Sequence, residues 1–141
     1  MSTRSNIVLN YGENEINIYR HWDGYLAMTG YDLLCHLLHS KLNPNKFLTK
    51  LLNSKNSPST IREADNQYEL TSGIHGDSEY LYEIDFIMID MTVKSINLKI
   101  SNRVYGDNWE ILHHLKNIKF DELYKKTKFI NDSHLKMLKA S

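Results

Sequence analysis

The chain has 141 residues, 41% hydrophobic and 24% charged, with two prolines and one cysteine, an ordinary globular balance that excludes a disordered, fibrous or membrane-spanning class. That length fits one core, so residues 1–141 are read as a single globular domain. Lysine plus arginine equals aspartate plus glutamate at 17 each, which removes the net basic field that drives non-specific nucleic-acid binding.

In chain order, "NIVLNY" and "EINIYR" are rich in β-branched and aromatic residues, and "GEN" between them supplies the turn of a hairpin. Ile16 and Ile18 alternate with Glu15, Asn17 and Tyr19, which suits a sheet covered on one side. From Thr29 the period changes to that of a helix. Thr29 is expected to cap it, with Asp32 three residues on in a capping-box arrangement. Leu34, Leu37 and Leu38 then share one face with Leu33 at its edge, leaving Cys35, His36 and His39 on the other side. Asn43 before Pro44 predicts a second helix start, and Phe47, Leu48, Leu51 and Leu52 give that helix its apolar stripe.

The stretch "NSKNSPSTIREADNQ" is polar and aperiodic and reads as a surface connection. "YELTSG" predicts a strand, "IHGDSE" a turn-containing link, and "YLYEIDFIMID" a long strand. In that strand Tyr80, Tyr82, Ile84, Phe86 and Met88 share a face, with Glu83 and Asp85 opposite. "MTVKS" is expected to contain a turn leading into the strand "INLKIS". Asp107 followed by Glu110 resembles another helix cap, with Ile111, Leu112, Leu115 and Ile118 as the buried side, and a last short helix is expected from Asp132 with Leu135 and Leu138 inward. The expected class is therefore α+β: a mainly antiparallel sheet of about five strands, with helices packed on one face.

Two His-x-Asp pairs stand out, His21 with Asp23 in "IYRHWDGY" and His75 with Asp77 in "IHGDSE". In an extended segment residues two apart project to the same face, so an aspartate could orient an imidazole or both could ligate a metal. With Arg20 beside them, Arg20, His21, Asp23, His75 and Asp77 form a candidate site for a nucleotide or small phosphorylated ligand, with weak hydrolysis as its chemical extension. The competing reading is turn chemistry: Asp23-Gly24 and Gly76-Asp77 are turn dipeptides in which glycine takes positive φ. Trp22 and Tyr25 read either as packing residues or as anchors of an interface.

Other constellations carry less. Adjacent His113 and His114 diverge on a helix by about 100°, so they do not form a metal pair. His39 stands alone, and Cys35 beside a leucine stripe reads as a semi-buried inert thiol. Neither a phosphate-loop glycine pattern, a serine-hydrolase elbow nor a Cys-x-x-Cys pair occurs. No metal, cofactor or catalytic residue is expected. The lone cysteine, the absence of an apolar leader in "MSTRSNIVLN" and the absence of any bilayer-length apolar run predict a cytoplasmic protein without a membrane role.

Between Asp77 and Asp90 lie Glu79, Glu83 and Asp85 with no lysine or arginine. Carboxylates spaced along a strand can imitate backbone phosphates and compete for a basic channel, with tyrosines as anchors. Glu79, Tyr80, Tyr82, Glu83, Asp85, Trp22 and Tyr25 are accordingly the expected protein interface, against the alternative of an ordinary solvated sheet face.

The blocks "TRSNI", "IYRHWDGY", "YELTSGIHGDSEYLYEID" and "LKIS" resemble a family of small bacteriophage and prophage proteins to which no activity is attached. The resemblance spans separated blocks from Thr3 to Ser101. It implies a phage-encoded accessory protein in the bacterial cytoplasm, binding a host protein or ribonucleoprotein complex and inhibiting a defence component in the manner of an anti-CRISPR protein. Direct nucleic-acid binding is not expected from the zero net charge, and self-association as a homodimer stays open.

Overall fold

The computed structural model describes residues 3–21, 24, 26–53 and 68–125. The expectations placed on Asp23, on residues 54–67 and on the helix from Asp132 lie outside the described residues, as do Trp22 and Tyr25. In chain order the elements are β1 (Ser5–Tyr11), β2 (Asn14–Arg20), a π-helical turn (Leu26–Gly30), α1 (Tyr31–His39), α2 (Pro44–Leu52), β3 (Tyr68–Thr71), β4 (Tyr80–Ile89), β5 (Thr92–Tyr105) and β6 (Asn108–Ile118). A helical segment follows at 120–125.

The strands form one six-stranded sheet in the order β3-β2-β1-β4-β5-β6. All neighbours are antiparallel except β1 and β4, which run parallel at its centre. The class is thus mixed helix and mostly antiparallel sheet, with one strand more than expected. The β1–β2 hairpin closes through Gly12 at φ 59, in the left-handed region that glycine enters without steric cost. Register then places Ile7 beside both Ile18 and Tyr82, Leu9 beside Ile84, Tyr82 beside Ile100 and Ile84 beside Leu98. Paired residues share a face. These side chains form one buried cluster with Leu33, Leu34 and Leu37 of α1 and Phe47 and Leu51 of α2.

Helix α2 begins as its sequence predicts: Asn43 Oδ1 accepts from the Lys46 amide at 3.0 Å, and Pro44 occupies the first turn. Helix α1 does not. Its N-cap is Gly30, without a side-chain cap, and Thr29 lies in the preceding π-helical turn, where its hydroxyl accepts from Arg20 Nη1 at 2.8 Å. A buried guanidinium is a stronger claimant for that hydroxyl than a helix amide that water could serve.

The expected helix from Asp107 is strand β6. Gly106 and Asp107 are a hairpin turn, with Gly106 at φ 53, and β6 pairs antiparallel with β5. Register shifts at three points of that pair break the strict alternation, so Ile111, Leu112, Leu115 and Ile118 fall at an apparently helical spacing. Ile118 is buried, but Ile111 and Leu112 are exposed. The turn expected in "MTVKS" falls at its first residue, at Asp90 and Met91, whose φ values are 54 and 64. Among the described residues no helix is long and apolar enough to cross a membrane.

Candidate functional site

The end of β2 sends consecutive side chains to opposite faces of the sheet. Arg20 turns into the core and is fully buried. It therefore does not join the two histidines, and the expected grouping of Arg20 with His21, His75 and Asp77 is corrected by the pleat of the strand.

Tyr19 faces the other way and gathers the rest. The His75 ring stacks on it with centroids 3.8 Å apart and planes 15° from parallel, while the His21 ring meets it edge-on at 4.6 Å. Tyr19 Oη donates to the Asp77 carboxylate, 2.9 Å from each oxygen. Burial, then this hydrogen bond and the Asp77 charge, push the phenol up to about 12, so it is a neutral donor at physiological pH. Arg4 Nε lies 3.4 Å from Asp77, and His21 Nε2 lies 2.6 Å from Glu69 Oε1. A carboxylate at Nε2 selects the tautomer with its proton there and leaves the lone pair on Nδ1. Thr71 Oγ1 is 2.7 Å from His75 Nε2.

The segment carrying His75 and Asp77 is not an extended strand but a turn, so its shape must be imposed from elsewhere. Asn6 Oδ1 accepts from the His75 amide at 2.9 Å and from Ser78 Oγ at 2.6 Å, while Asn6 Nδ2 donates to Gly73 O at 3.1 Å. From the other side Arg103 donates to Ser78 O at 2.7 Å and His75 O at 3.1 Å, its guanidinium lying 4.3 Å over the Trp109 ring. One buried amide and one arginine thus fix the loop that presents the imidazole and carboxylate.

Sequence reasoning placed His21, His75 and Asp77 among its candidates and missed Arg4, Tyr19, Glu69, Asn6 and Arg103. Arg4 and Asn6 lie inside the quoted "TRSNI" block, which was the available signal. Glu69 is opposite Tyr19 in the β2–β3 register, a relation that needs the pairing to be known. Among the described residues no group of three or more His, Cys, Asp or Glu side chains is arranged to hold a metal ion.

The expected acidic interface has a different form. Tyr82 is a core residue, fully buried, donating to Gly24 O at 2.7 Å, so it cannot anchor a partner. Glu83 lies 3.5 Å from Lys99, its neighbour on β5, and Asp85 accepts from Asn10 Nδ2 at 2.7 Å. Cross-strand partners from β1 and β5 engage these acids, while Tyr80 is half-buried and Glu79 exposed.

On the inner side, Arg20, Thr29, Asp32 and Tyr68 form a buried polar network. Arg20 Nη1 is 4.0 Å from Asp32 Oδ2, its guanidinium lies 4.6 Å over the Tyr68 ring, and the Tyr68 hydroxyl donates to Asp32. The network joins β2, the π-helical turn, α1 and β3 in a site without solvent. Burial raises the Cys35 thiol as well, in keeping with the inert role expected of it.

His36, one turn after Asp32, has Nε2 3.5 Å from Asp32 Oδ1 with neither atom making a hydrogen bond. Burial lowers the imidazole below its ordinary 6.5, outweighing the Asp32 charge that would raise it, so this contact is not an ion pair at neutral pH. The unfolded chain then binds a proton more readily than the folded one. Stability contributed by neutral His36 is complete above about 6.5 and falls as pH drops through the lowered folded value. Urea melts between pH 7 and 5 are expected to show a shallower loss for His36→Gln than for wild type; an identical slope would remove His36 from the account.

Compared with known proteins, the chain matches no family model, no curated protein and no solved structure.

Proposed function

We propose that the protein is a non-enzymatic recognition protein, binding a host protein partner through the open patch of Arg4, His21, Glu69, His75 and Asp77, which is arranged around the buried Tyr19. One observation carries this reading: the patch is half exposed and holds one guanidinium and two carboxylates, Asp77 against Arg4 and Glu69 against the His21 imidazole. Arg4 and Asp77 have side-chain exposures of 41% and 53%, and His21 and Glu69 of 42% and 53%. A phosphate placed there would meet two carboxylates at once, which opposes the phosphorylated-ligand alternative. Small molecules also favour enclosure, and two cavities among the described residues, of about 530 and 210 Å³, are lined by other residues. A protein surface of complementary charge, in contrast, gains from charged and imidazole groups already held in one arrangement around Tyr19, because less ordering cost remains at binding.

The resemblance to small phage proteins supports the finer reading, a host defence component as partner and inhibition as the outcome. The acidic run contributes less to this than its sequence suggests, since Glu83 and Asp85 have in-sheet partners.

The test pairs capture with a folded variant. Tagged protein is used to retain partners from a lysate of its bacterial host, alongside the double variant His21→Ala, Glu69→Lys, whose positions are exposed enough to leave the core untouched. A stoichiometric host protein is expected, with affinity reduced at least tenfold in the variant, roughly the loss of one charge-assisted contact. A partner held equally well by the variant, or a nucleotide retained without protein, overturns the reading.

A further inference from the structure

Helices α1 and α2 meet at an elbow on a different part of the chain from the Tyr19 patch. His39 ends α1, Lys41 sits on the elbow, and Lys46 and Lys50 stand one turn apart on α2. Together with Ser40, Asn45 and Thr49 they line a cavity of about 530 Å³. Three lysines and a histidine thus line one concave site.

Two features set this apart from scattered surface lysines. First, among the described residues no carboxylate lines the cavity and none of Lys41, Lys46 or Lys50 is in an ion pair. In a chain whose formal charges cancel, that is a local excess of positive charge inside a concave wall, where the field is focused rather than spread. Second, the elbow is held in a costly conformation. Lys41 and Leu42 take φ values of 53 and 61, consecutive left-handed residues without a glycine. Leu42 is buried, and the amides of Lys41 and Leu42 donate to Leu38 O and Leu37 O, each at 3.1 Å, so the strained pair is fixed by packing and by the end of α1. The elbow that carries Lys41 is thereby held in one shape, as the Asp90–Met91 turn is elsewhere in the chain.

The two walls are tied to each other. Lys50 Nζ donates to His39 O at 3.4 Å, and the amino end of α2, with its outward backbone dipole, lies at Asn45 and Lys46. The Thr49 hydroxyl and the Asn45 amide are neutral donors among the lining residues, whereas the buried Ser40 hydroxyl donates to Leu37 O at 3.1 Å.

We propose that this elbow cavity binds a small polyanion bearing phosphate groups. The size falls within the range of small-ligand sites, roughly 300–1,000 Å³. The chemistry is recognition of phosphate oxygens by lysine ammonium groups as point charges, supplemented by neutral donors. It does not depend on the reading of the Tyr19 patch, whose residues lie just before β1, at the end of β2, on β3 and in the β3–β4 link.

Inorganic pyrophosphate is the probe, titrated into the full-length ¹⁵N-labelled protein. Saturable amide shifts are expected at Lys41, Asn45, Lys46 and Thr49, weakening steeply with added salt. The variant Lys46→Glu, Lys50→Glu is expected to bind at least tenfold more weakly, and Lys46→Gln to be intermediate, while Lys94→Glu, on β5, binds as wild type. All these side chains are exposed, so the same spectra report that the variants are folded. No shifts, shifts at lysines throughout the surface, or equal binding by the double variant would overturn the proposal. A short DNA duplex binding the same amides more tightly than pyrophosphate would also overturn it, assigning the phosphate to a nucleic-acid backbone instead of a small ligand.

Discussion

Asp32→Ala is expected to destabilise the protein by about 3–5 kcal/mol, the usual cost of removing one partner from a buried charge pair. Asp32 and Arg20 are both fully buried. Removing the carboxylate takes away the buried countercharge 4.0 Å from Arg20 Nη1, and the Tyr68 hydroxyl loses its Asp32 acceptor. A domain holding about 5–15 kcal/mol in total would be left marginal or unfolded. The register explains why the loss is not local: Tyr68 lies directly opposite Arg20 in the β2–β3 pair, so the network anchors an edge strand as well as the start of α1.

The same argument gives the control. Replacing both charges with apolar side chains of similar volume, Arg20→Met with Asp32→Leu, removes the buried charges together and is expected to recover most of the loss. Urea denaturation of wild type, the single variant and the double variant measures all three. A single-variant loss under about 1 kcal/mol would show that the guanidinium is not dependent on Asp32.

Gly24→Ala is expected to cost about 2–3 kcal/mol, whereas Gly76→Ala is expected to be close to neutral. Both glycines adjoin an aspartate and both read as turn glycines. Neither takes a positive φ, so the backbone reason expected for them does not apply. At Gly24 a Cβ would lie 2.8 Å from Arg4 C, 2.9 Å from Ser5 Cβ and 2.9 Å from Thr3 O, while at Gly76 it would meet nothing within 4 Å.

Gly24 also donates to Thr3 O at 2.8 Å and accepts from the Tyr82 hydroxyl at 2.7 Å. Two backbones and a core tyrosine therefore converge where a methyl would have to fit, and at least one of these bonds must lengthen to admit it. The difference between the two alanine variants, measured by thermal or urea melts, is the decisive quantity. Equal effects would mean that both glycines matter through the unfolded chain rather than through packing. The histidine–tryptophan–aspartate–glycine stretch is thus partly structural for a reason specific to Gly24, whose neighbours belong to the amino-terminal segment.

Local information was enough wherever one segment decides its own structure. The Gly12 hairpin, the Asn43–Pro44 helix start and the alternation of Tyr80 to Phe86 were legible, because capping, turn geometry and hydrophobic period act over a few residues, whereas the face of α1 is rotated from the expected one, with Leu33 and Cys35 buried and Leu38 half-buried. The error at β6 has the same origin. Gly106-Asp107 is a hairpin signal as well as a cap-like one, and an edge strand interrupted by bulges carries too little alternation to separate strand from helix.

By itself the sequence determined a mixed α and β composition, a mostly antiparallel sheet and the histidine and aspartate residues worth following. Only the tertiary structure decided which of them meet. Adjacent Tyr19 and Arg20 go to opposite sides of the sheet, and the parallel β1–β4 pair brings residues near 5 and 80 into register. Tyr19 consequently lies between His21 and His75, Arg20 is buried against Asp32, and the carboxylates of β4 acquire partners from β1 and β5. Each outcome depends on long-range strand pairing, whose register is a property of the assembled sheet and not of any single stretch of chain.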